Sequence, residues 1–183
     1  MSTFFTADLH LFDKDISRYR GFRSPGELVK LIANNWNSVV GAQDTVYILG
    51  DISKDDTGKA TQFILNHLKG KKILIPGNHD TMDTIRAFAA CDGCSVMFLP
   101  IVTIGGGNFI CSHIPVHENE MTWFDGNIHG HIHAPYPELG YFPKEYPSPK
   151  SSVIPPNYLN VNVEFHNYFP VTEEAVLKYF TTI

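Results

Sequence analysis

The stretch KKILIPGNHD, residues 71–80, joins a short apolar run to a cluster of polar side chains through a Pro-Gly pair. The aliphatic run at residues 73–75 is typical of a buried strand. Gly77 has no Cβ and lets the backbone turn sharply where that strand ends. Asn78, His79 and Asp80 then present an amide, an imidazole and a carboxylate in succession. The stretch therefore predicts a strand whose carboxyl end carries functional side chains.

The same arrangement recurs elsewhere in the chain. Polar clusters follow predicted strands at five places: Asp8-Leu-His10, Gly50-Asp51, Gly77-Asn-His-Asp80, Ser112-His113 and Gly130-His131-Ile-His133. Ligand sites in α/β proteins lie beyond the carboxyl ends of the strands, because the loops converge there. Residues i and i+2 of an extended segment point to the same side, so Asp8 can act with His10 and His131 with His133. We therefore predict one pocket built from five loops.

The hydrophobic pattern predicts an α/β protein. In the first half, strands at residues 3–7, 46–49 and 73–75 alternate with helices at residues 25–39, 57–69 and 81–89, as in βαβ units. The second half has short strands at residues 96–99, 101–104, 109–111, 127–129 and 158–163, which we expect to pair antiparallel, and a helix at residues 172–179. Residues 134–157 hold more than half of the prolines and predict an irregular loop. We expect one domain with two packed, mixed β-sheets flanked by helices.

Composition narrows the class of protein. The chain has 183 residues, 43% of them hydrophobic, and a mean hydropathy of -0.10, as expected for a single globular domain. No segment reaches the ~18 consecutive apolar residues of a membrane helix, and the N-terminus lacks a signal-peptide pattern, so we expect a cytoplasmic protein. The net charge of -5 argues against a large basic surface for duplex nucleic acid. Cys91 and Cys94 have CxxC spacing, but zinc would need a second pair and only Cys111 remains, which favours reduced thiols.

The motif set DxH, GD, GNHD, H and GHxH, spanning residues 8–133, resembles that of the calcineurin-like metallophosphoesterases. The resemblance implies a four-layer α/β/β/α sandwich over residues 1–183 and two metal sites that share one carboxylate. It assigns the first ion to Asp8, His10, Asp51 and His133, and the second to Asp51, Asn78, His113 and His131. His79 is similar to the family's proton donor, and Asp80 to the acid that orients it.

The chemistry of these side chains agrees with such a site. Mixed nitrogen and oxygen ligands without thiolate suit Mn²⁺, Fe²⁺, Zn²⁺ or Ni²⁺ rather than Ca²⁺, and manganese is favoured. A bridging aspartate can hold two cations ~3.5–4 Å apart and position a bridging hydroxide for attack on phosphorus. Two dications bring about +4, while two carboxylates and a hydroxide return about -3, so the pocket stays cationic. We expect hydrolysis of a small phosphate ester, with nucleotides among the candidates.

Other interpretations stay open at this point. The protein could be a nuclease, or a non-catalytic scaffold with the same fold. His79 could orient a ligand instead of donating a proton, and His117 and His129 are expected near the ligands or on the surface.

Substrate contacts are harder to assign from the sequence. Arg18 and Arg20 could clamp the substrate phosphate, although a solvated loop explains them equally well. Tyr136, Tyr141 and Phe142 of the proline-rich loop could stack on a nucleobase. The sequence does not distinguish a monoester from a diester, and it does not set the oligomeric state.

Overall fold

The computed structural model describes residues 1–54, 58–133 and 157–182. The helices of this part of the chain are α1 (Lys14–Tyr19), α2 (Pro25–Val39), α3 (Lys59–His67), α4 (Met82–Ala89) and α5 (Glu173–Thr181). The strands are β1 (Thr3–Thr6), β2 (Thr45–Ile48), β3 (Lys71–Leu74), β4 (Cys94–Val96), β5 (Ile101–Ile104), β6 (Gly107–Cys111), β7 (Gly126–His129), β8 (Tyr158–Asn160) and β9 (Val171–Thr172). Short 3-10 helices cover Glu118–Glu120 and Val163–His166. None of the described helices is long and apolar enough to cross a membrane.

Two mixed sheets form the fold. The first has the strand order β4-β3-β2-β1-β9, in which β9 runs antiparallel and the others are parallel. The second has the order β5-β6-β7-β8, with β5 antiparallel to β6 and the rest parallel. The predicted class, an α/β protein with two mixed sheets packed with helices, is confirmed.

Alternation along the strands separates two hydrophobic cores. Phe4, Val46 and Ile48 belong to the core shared with α2, α3 and α4, whereas Phe5 and Leu49 belong to the core between the two sheets. This is the period of two expected for a sheet covered on both faces. The first sheet is therefore held rigidly from both sides, which fixes the loops at its carboxyl edge.

Helix α2 shows how the sequence sets the packing. Ser24 caps it by accepting a hydrogen bond from the Glu27 amide, and Pro25 occupies its first turn. Leu28, Ile32 and Trp36, spaced at four residues, are buried against the first sheet. Burial of one such side chain stabilises the fold by roughly 1.5–3 kcal/mol.

The second half of the chain differs from the expectation in strand direction. Among the described strands of the second sheet, only β5 and β6 pair antiparallel, and the turn between them contains Gly105 and Gly106, both with positive φ. The predicted strand at residues 158–163 ends at Asn160, and the chain turns into the 3-10 helix Val163–His166. Helix α1 was not predicted. Because β6, β7 and β8 are parallel, their carboxyl ends face the same edge, next to those of the first sheet.

Candidate metal centre

The five predicted clusters meet at one edge of the molecule. Asp8, Asp51 and Asn78 follow β1, β2 and β3, His113 follows β6, and His131 and His133 follow β7. A parallel bridge between Ala7 and Asn162 joins the two sheets at this edge. The pocket therefore lies on the seam between the sheets.

The backbone at this edge is strained. Asp8, His10, Asp51 and His131 all have positive φ, at 58°, 45°, 53° and 70°. Such non-glycine residues are uncommon and cluster at functional sites. Hydrogen bonds between the first two loops, from the Asp8 amide to Gly50 O and from the His10 amide to Asp51 O, both 3.0 Å, hold this geometry.

Asp8, His10 and His133 form a first group of candidate ligands. The Nε2 atoms of the two histidines are 3.2 Å apart, and Asp8 Oδ1 lies 3.4 Å from His133 Nε2 and 3.9 Å from His10 Nε2. Asp8 is buried, and its Oδ1 has no hydrogen-bond partner among the described residues. A buried carboxylate oxygen without a donor is costly, and a divalent cation between these three side chains would neutralise it.

Asp51, His113 and His131 form a second group. His113 Nε2 lies 3.3 Å from Asp51 Oδ2, 3.2 Å from His131 Nδ1 and 3.0 Å from Asn78 Oδ1. The other nitrogen of His113 is 2.8 Å from Leu49 O, which can only accept, so Nδ1 carries the proton. Burial acts to lower the pKa of His113, but the hydrogen bond with Asp51 and the charge of Asp8 raise it, so the metal-free ring favours a proton at Nε2, which a cation would replace. This arrangement also fits a cation.

Asp51, a member of the second group, also lies close to His10 of the first group. Its Oδ2 is 3.3 Å from His113 Nε2 and 3.7 Å from His10 Nε2, while its Oδ1 accepts a hydrogen bond of 2.9 Å from the His79 amide. Burial opposes ionisation of Asp51, but the hydrogen bond and charge of His113 and the His79 amide lower its pKa to about 2. The carboxylate is therefore charged at neutral pH and close to both groups.

The pKa values of the two histidines of the first group are shifted in opposite directions. Burial, with a smaller contribution from the neighbouring His133, lowers the pKa of His10 to about 3, which leaves its ring neutral. Burial also acts to lower the pKa of His133, but the Asp8 carboxylate 3.4 Å from Nε2 and the Glu164 carboxylate at Nδ1 raise it to about 9. In the metal-free protein His133 consequently holds a proton that an incoming cation would displace.

The side chains of His79 and Asp80 have different surroundings. The His79 ring is partly exposed and meets the His10 ring edge-on, with the centroids 5.6 Å apart. Asp80 was expected to orient that ring, but its carboxylate instead accepts hydrogen bonds from the backbone amides of Asp51 (2.9 Å), Ile52 (3.0 Å) and Gly77 (2.8 Å). Within the described residues it makes no hydrogen bond to the His79 imidazole. Asp80 therefore ties together two ligand loops, and its burial raises its pKa to about 6.

The expected phosphate clamp at Arg20 is a further correction. Its side chain is only 1% exposed, and the guanidinium donates to Asp8 O (2.7 Å), Leu9 O (3.2 Å) and the Glu164 carboxylate (2.7 Å). A guanidinium that is buried and occupied in this way supports the loop of the first ligands and does not face substrate. Arg18 is exposed in the last turn of α1, and its contact with substrate stays a prediction.

Glu164 was not among the site residues predicted from the sequence. One oxygen of this carboxylate accepts hydrogen bonds from both His133 Nδ1 and Arg20 Nε, each at 2.7 Å. The partners lie 31 and 144 positions away, so no local pattern points to the contact. The strand prediction that ended at residue 163 also left Glu164 outside any element that reaches the pocket.

The remaining expected residues belong to neither ligand group or lie outside the described part of the chain. His129 is buried with Nδ1 at 2.9 Å from Gly130 O, and burial lowers its pKa to about 4. His117 caps the 3-10 helix Glu118–Glu120. The cysteines are free thiols. The aromatic residues proposed to stack on a base, Tyr136, Tyr141 and Phe142, are outside the described residues.

Comparisons with known proteins agree with this picture. A sequence model for the calcineurin-like phosphoesterases matches residues 1–145. The uncharacterized protein MJ1445 of Methanocaldococcus jannaschii is 32% identical over 177 residues, which cover 94% of this chain and 87% of that protein. The Gene 66 protein of Mycobacterium phage L5 is 32% identical over 162 residues, covering 73% and 78%. A solved structure, AQ665 from Aquifex aeolicus, superposes with a TM-score of 0.72 at 23% identity, covers 97% of this chain and 98% of that one, and shares the fold.

Proposed function

Because this chain belongs to the calcineurin-like phosphoesterase family, we propose that it hydrolyses a phosphate ester with the help of two divalent cations. The proposed substrate is a small phosphorylated molecule, and nucleotides are among the candidates. The observation that carries the proposal is the position of Asp51 Oδ2, within 3.3 Å of an imidazole of one ligand group and 3.7 Å of an imidazole of the other.

The proposed ligands divide into two sets with one shared member. Asp8, His10 and His133 would hold the first ion, and Asn78, His113 and His131 the second, with Asp51 contributing to both. The donors are nitrogen and oxygen atoms without a thiolate, and we propose Mn²⁺ as the natural ion, with Fe²⁺, Zn²⁺ and Ni²⁺ as alternatives. When bound, such a pair of ions activates water and neutralises charge on a phosphate group.

The electrostatics of the pocket favour a phosphate ester. The proposed ligands contribute only two carboxylates, Asp8 and Asp51, and Asp51 has a lowered pKa. Two dications outweigh this charge by about +2 before water or substrate is counted. An anionic substrate is therefore attracted locally, although the chain as a whole has a net charge of -5.

We assign the proton for the leaving group to His79. Its ring is partly exposed and packs edge-on against His10, so it borders the open side of the first ligand group. The hydrogen bonds of Asp80 to Asp51, Ile52 and Gly77 amides fix the loop on which His79 stands. An imidazole held in this way can protonate a departing alkoxide, which matters most for poor leaving groups.

A matrix of metals and substrates tests this function. The purified chain is stripped with a chelator, reloaded with Mn²⁺, Ni²⁺, Zn²⁺ or Mg²⁺, and assayed on bis-p-nitrophenyl phosphate, p-nitrophenyl phosphate and cyclic and linear nucleotides. We expect hydrolysis that requires added metal, disappears with chelation and is mostly lost in Asp51→Asn. Metal-independent turnover, or no hydrolysis of any ester under any metal, would contradict the proposal. The ratio of diester to monoester rates then identifies the substrate class.

A further inference from the structure

The two ligand groups differ in the hydrogen-bond acceptor that contacts the Nδ1 atom of one histidine in each group. In the second group, His113 Nδ1 pairs with a neutral acceptor, the carbonyl of Leu49, at 2.8 Å. In the first group, His133 Nδ1 pairs with a carboxylate, Glu164 Oε1, at 2.7 Å. A carboxylate behind a ligating histidine fixes the ring and makes its free nitrogen a stronger donor to a metal.

Glu164 is itself held in place. Its Oε1 accepts the Nε–H of Arg20 at 2.7 Å, and its amide donates to Asn162 Oδ1 at 3.1 Å. The Glu164 side chain is 12% exposed and that of Arg20 1%, so the ion pair is shielded from solvent. A shielded charge-assisted pair of this length restricts the carboxylate to one position.

Arg20 also contacts the backbone of the loop that bears Asp8 and His10. Its terminal nitrogens donate to the backbone carbonyls of Asp8 and Leu9, at 2.7 and 3.2 Å. One connected network therefore runs from His133 through Glu164 and Arg20 to the loop that bears Asp8 and His10. Besides the shared Asp51, the proposed ligands of the first ion are Asp8, His10 and His133. Among the described residues, the Nδ1 atom of His113 contacts a backbone carbonyl and not a carboxylate.

We propose that Glu164, held by Arg20, is a positioning residue for the first metal site: it keeps Nδ1 of His133 protonated and Nε2 aimed at the ion, and so strengthens that site relative to the second. The inference rests on the proposed metal-dependent function. It differs from a purely structural ion pair, because a structural pair would contribute to stability without distinguishing one metal site from the other.

Stepwise Mn²⁺ binding to the chelator-treated full chain tests the proposal. Loss of a carboxylate partner behind a ligating histidine typically lowers metal affinity 10–100-fold. We expect Glu164→Ala to weaken one of two Mn²⁺ sites by that factor and to leave the other within about twofold. Glu164→Gln keeps an oxygen that can accept a hydrogen bond from His133. Its Mn²⁺ affinity at the weakened site should lie between those of Glu164→Ala and the native chain. Glu174→Ala, on the exposed surface of α5, is the matched control and should bind as the native chain does.

Anomalous diffraction from Mn²⁺-soaked crystals of Glu164→Ala identifies the weakened site, and we expect reduced occupancy at His133. Unchanged affinities, an equal loss at both sites, or reduced occupancy at His113 would overturn the proposal. Far-ultraviolet circular dichroism and the unfolding midpoint of each metal-free variant show whether the fold is kept. If Glu164→Ala does not fold, Glu164→Gln carries the same comparison. If the native chain itself takes up no Mn²⁺, the proposed function fails first, and that result is distinct from normal binding by both variants.

Discussion

Replacing Gly50 by alanine gives a sharp test of how the pocket is packed. Gly50 lies between β2 and Asp51 and has a φ of 81°. An added Cβ would lie 2.6 Å from the Cα and N atoms of Gly77 and 2.6 Å from Nδ1 of His113. Two of these atoms are backbone of the loop that carries Asn78, and the third is fixed by its hydrogen bond to Leu49 O. None of them can move without shifting a proposed ligand.

The expected cost has two parts. An alanine at positive φ costs about 1–2 kcal/mol, and forcing a methyl group into a filled site adds about 1–3 kcal/mol. Gly21 separates the two, because its φ is 80° and nothing lies within 4 Å of an added Cβ. Gly21→Ala should therefore lower the free energy of unfolding only by the backbone part, and Gly50→Ala by about 2–5 kcal/mol in total.

Urea unfolding of both metal-free variants measures this difference, and elemental analysis after Mn²⁺ loading measures the retained metal. We expect Gly50→Ala to unfold at lower urea than Gly21→Ala and to bind less metal than the native chain. Equal midpoints together with full metal content in both variants would refute the reasoning, because the carboxyl ends of β2 and β3 would then not be packed as tightly as the structure shows.

Three further predictions concern single side chains. Asp51→Asn should bind no more than one ion and lose most activity, since it removes the shared charge; full metal content by elemental analysis would argue against bridging. His79→Gln should keep both metals and lower kcat by ~10²–10⁴ on esters with poor leaving groups, whereas normal turnover on such esters would end the assignment as proton donor. The low pKa of buried His129, about 4 in the fold against 6.5 in the unfolded chain, means that the unfolded chain binds more protons in this range. Stability of the metal-free protein should therefore fall by up to ~3 kcal/mol as the pH drops from about 6.5 to about 4. His129→Gln should show a shallower slope in pH-dependent urea unfolding, and an unchanged slope would contradict this explanation.

The sequence predicted best what depends on local signals. Each ligand cluster follows a short strand closely, so both its existence and its place at a strand end could be inferred from a few adjacent residues. Helix α2 was predicted over its full length because a serine cap, an N-terminal proline and a four-residue apolar spacing all agree. Helix propensity, capping and burial all favour a helix at these residues.

Contacts between distant segments could not be predicted in this way. The bond from Arg20 to Glu164 spans 144 positions and depends on the position of the 3-10 helix after β8. The family resemblance paired Asp80 with His79, yet consecutive side chains of a turn diverge, and Asp80 accepts hydrogen bonds from the backbone of Asp51 and Gly77 instead. The parallel pairing of β6, β7 and β8 was missed because no helical pattern marks the connections between these strands.

Crystals grown with excess Mn²⁺ provide the most direct test of the shared aspartate. Anomalous difference maps collected at the manganese edge locate each ion without reference to the protein ligands. We predict two peaks about 3.5–4 Å apart, one beside His10 and His133 and one beside His113 and His131, with Asp51 Oδ2 coordinated to both. A pocket without peaks, or a single peak to which Asp51 does not coordinate, would contradict the account.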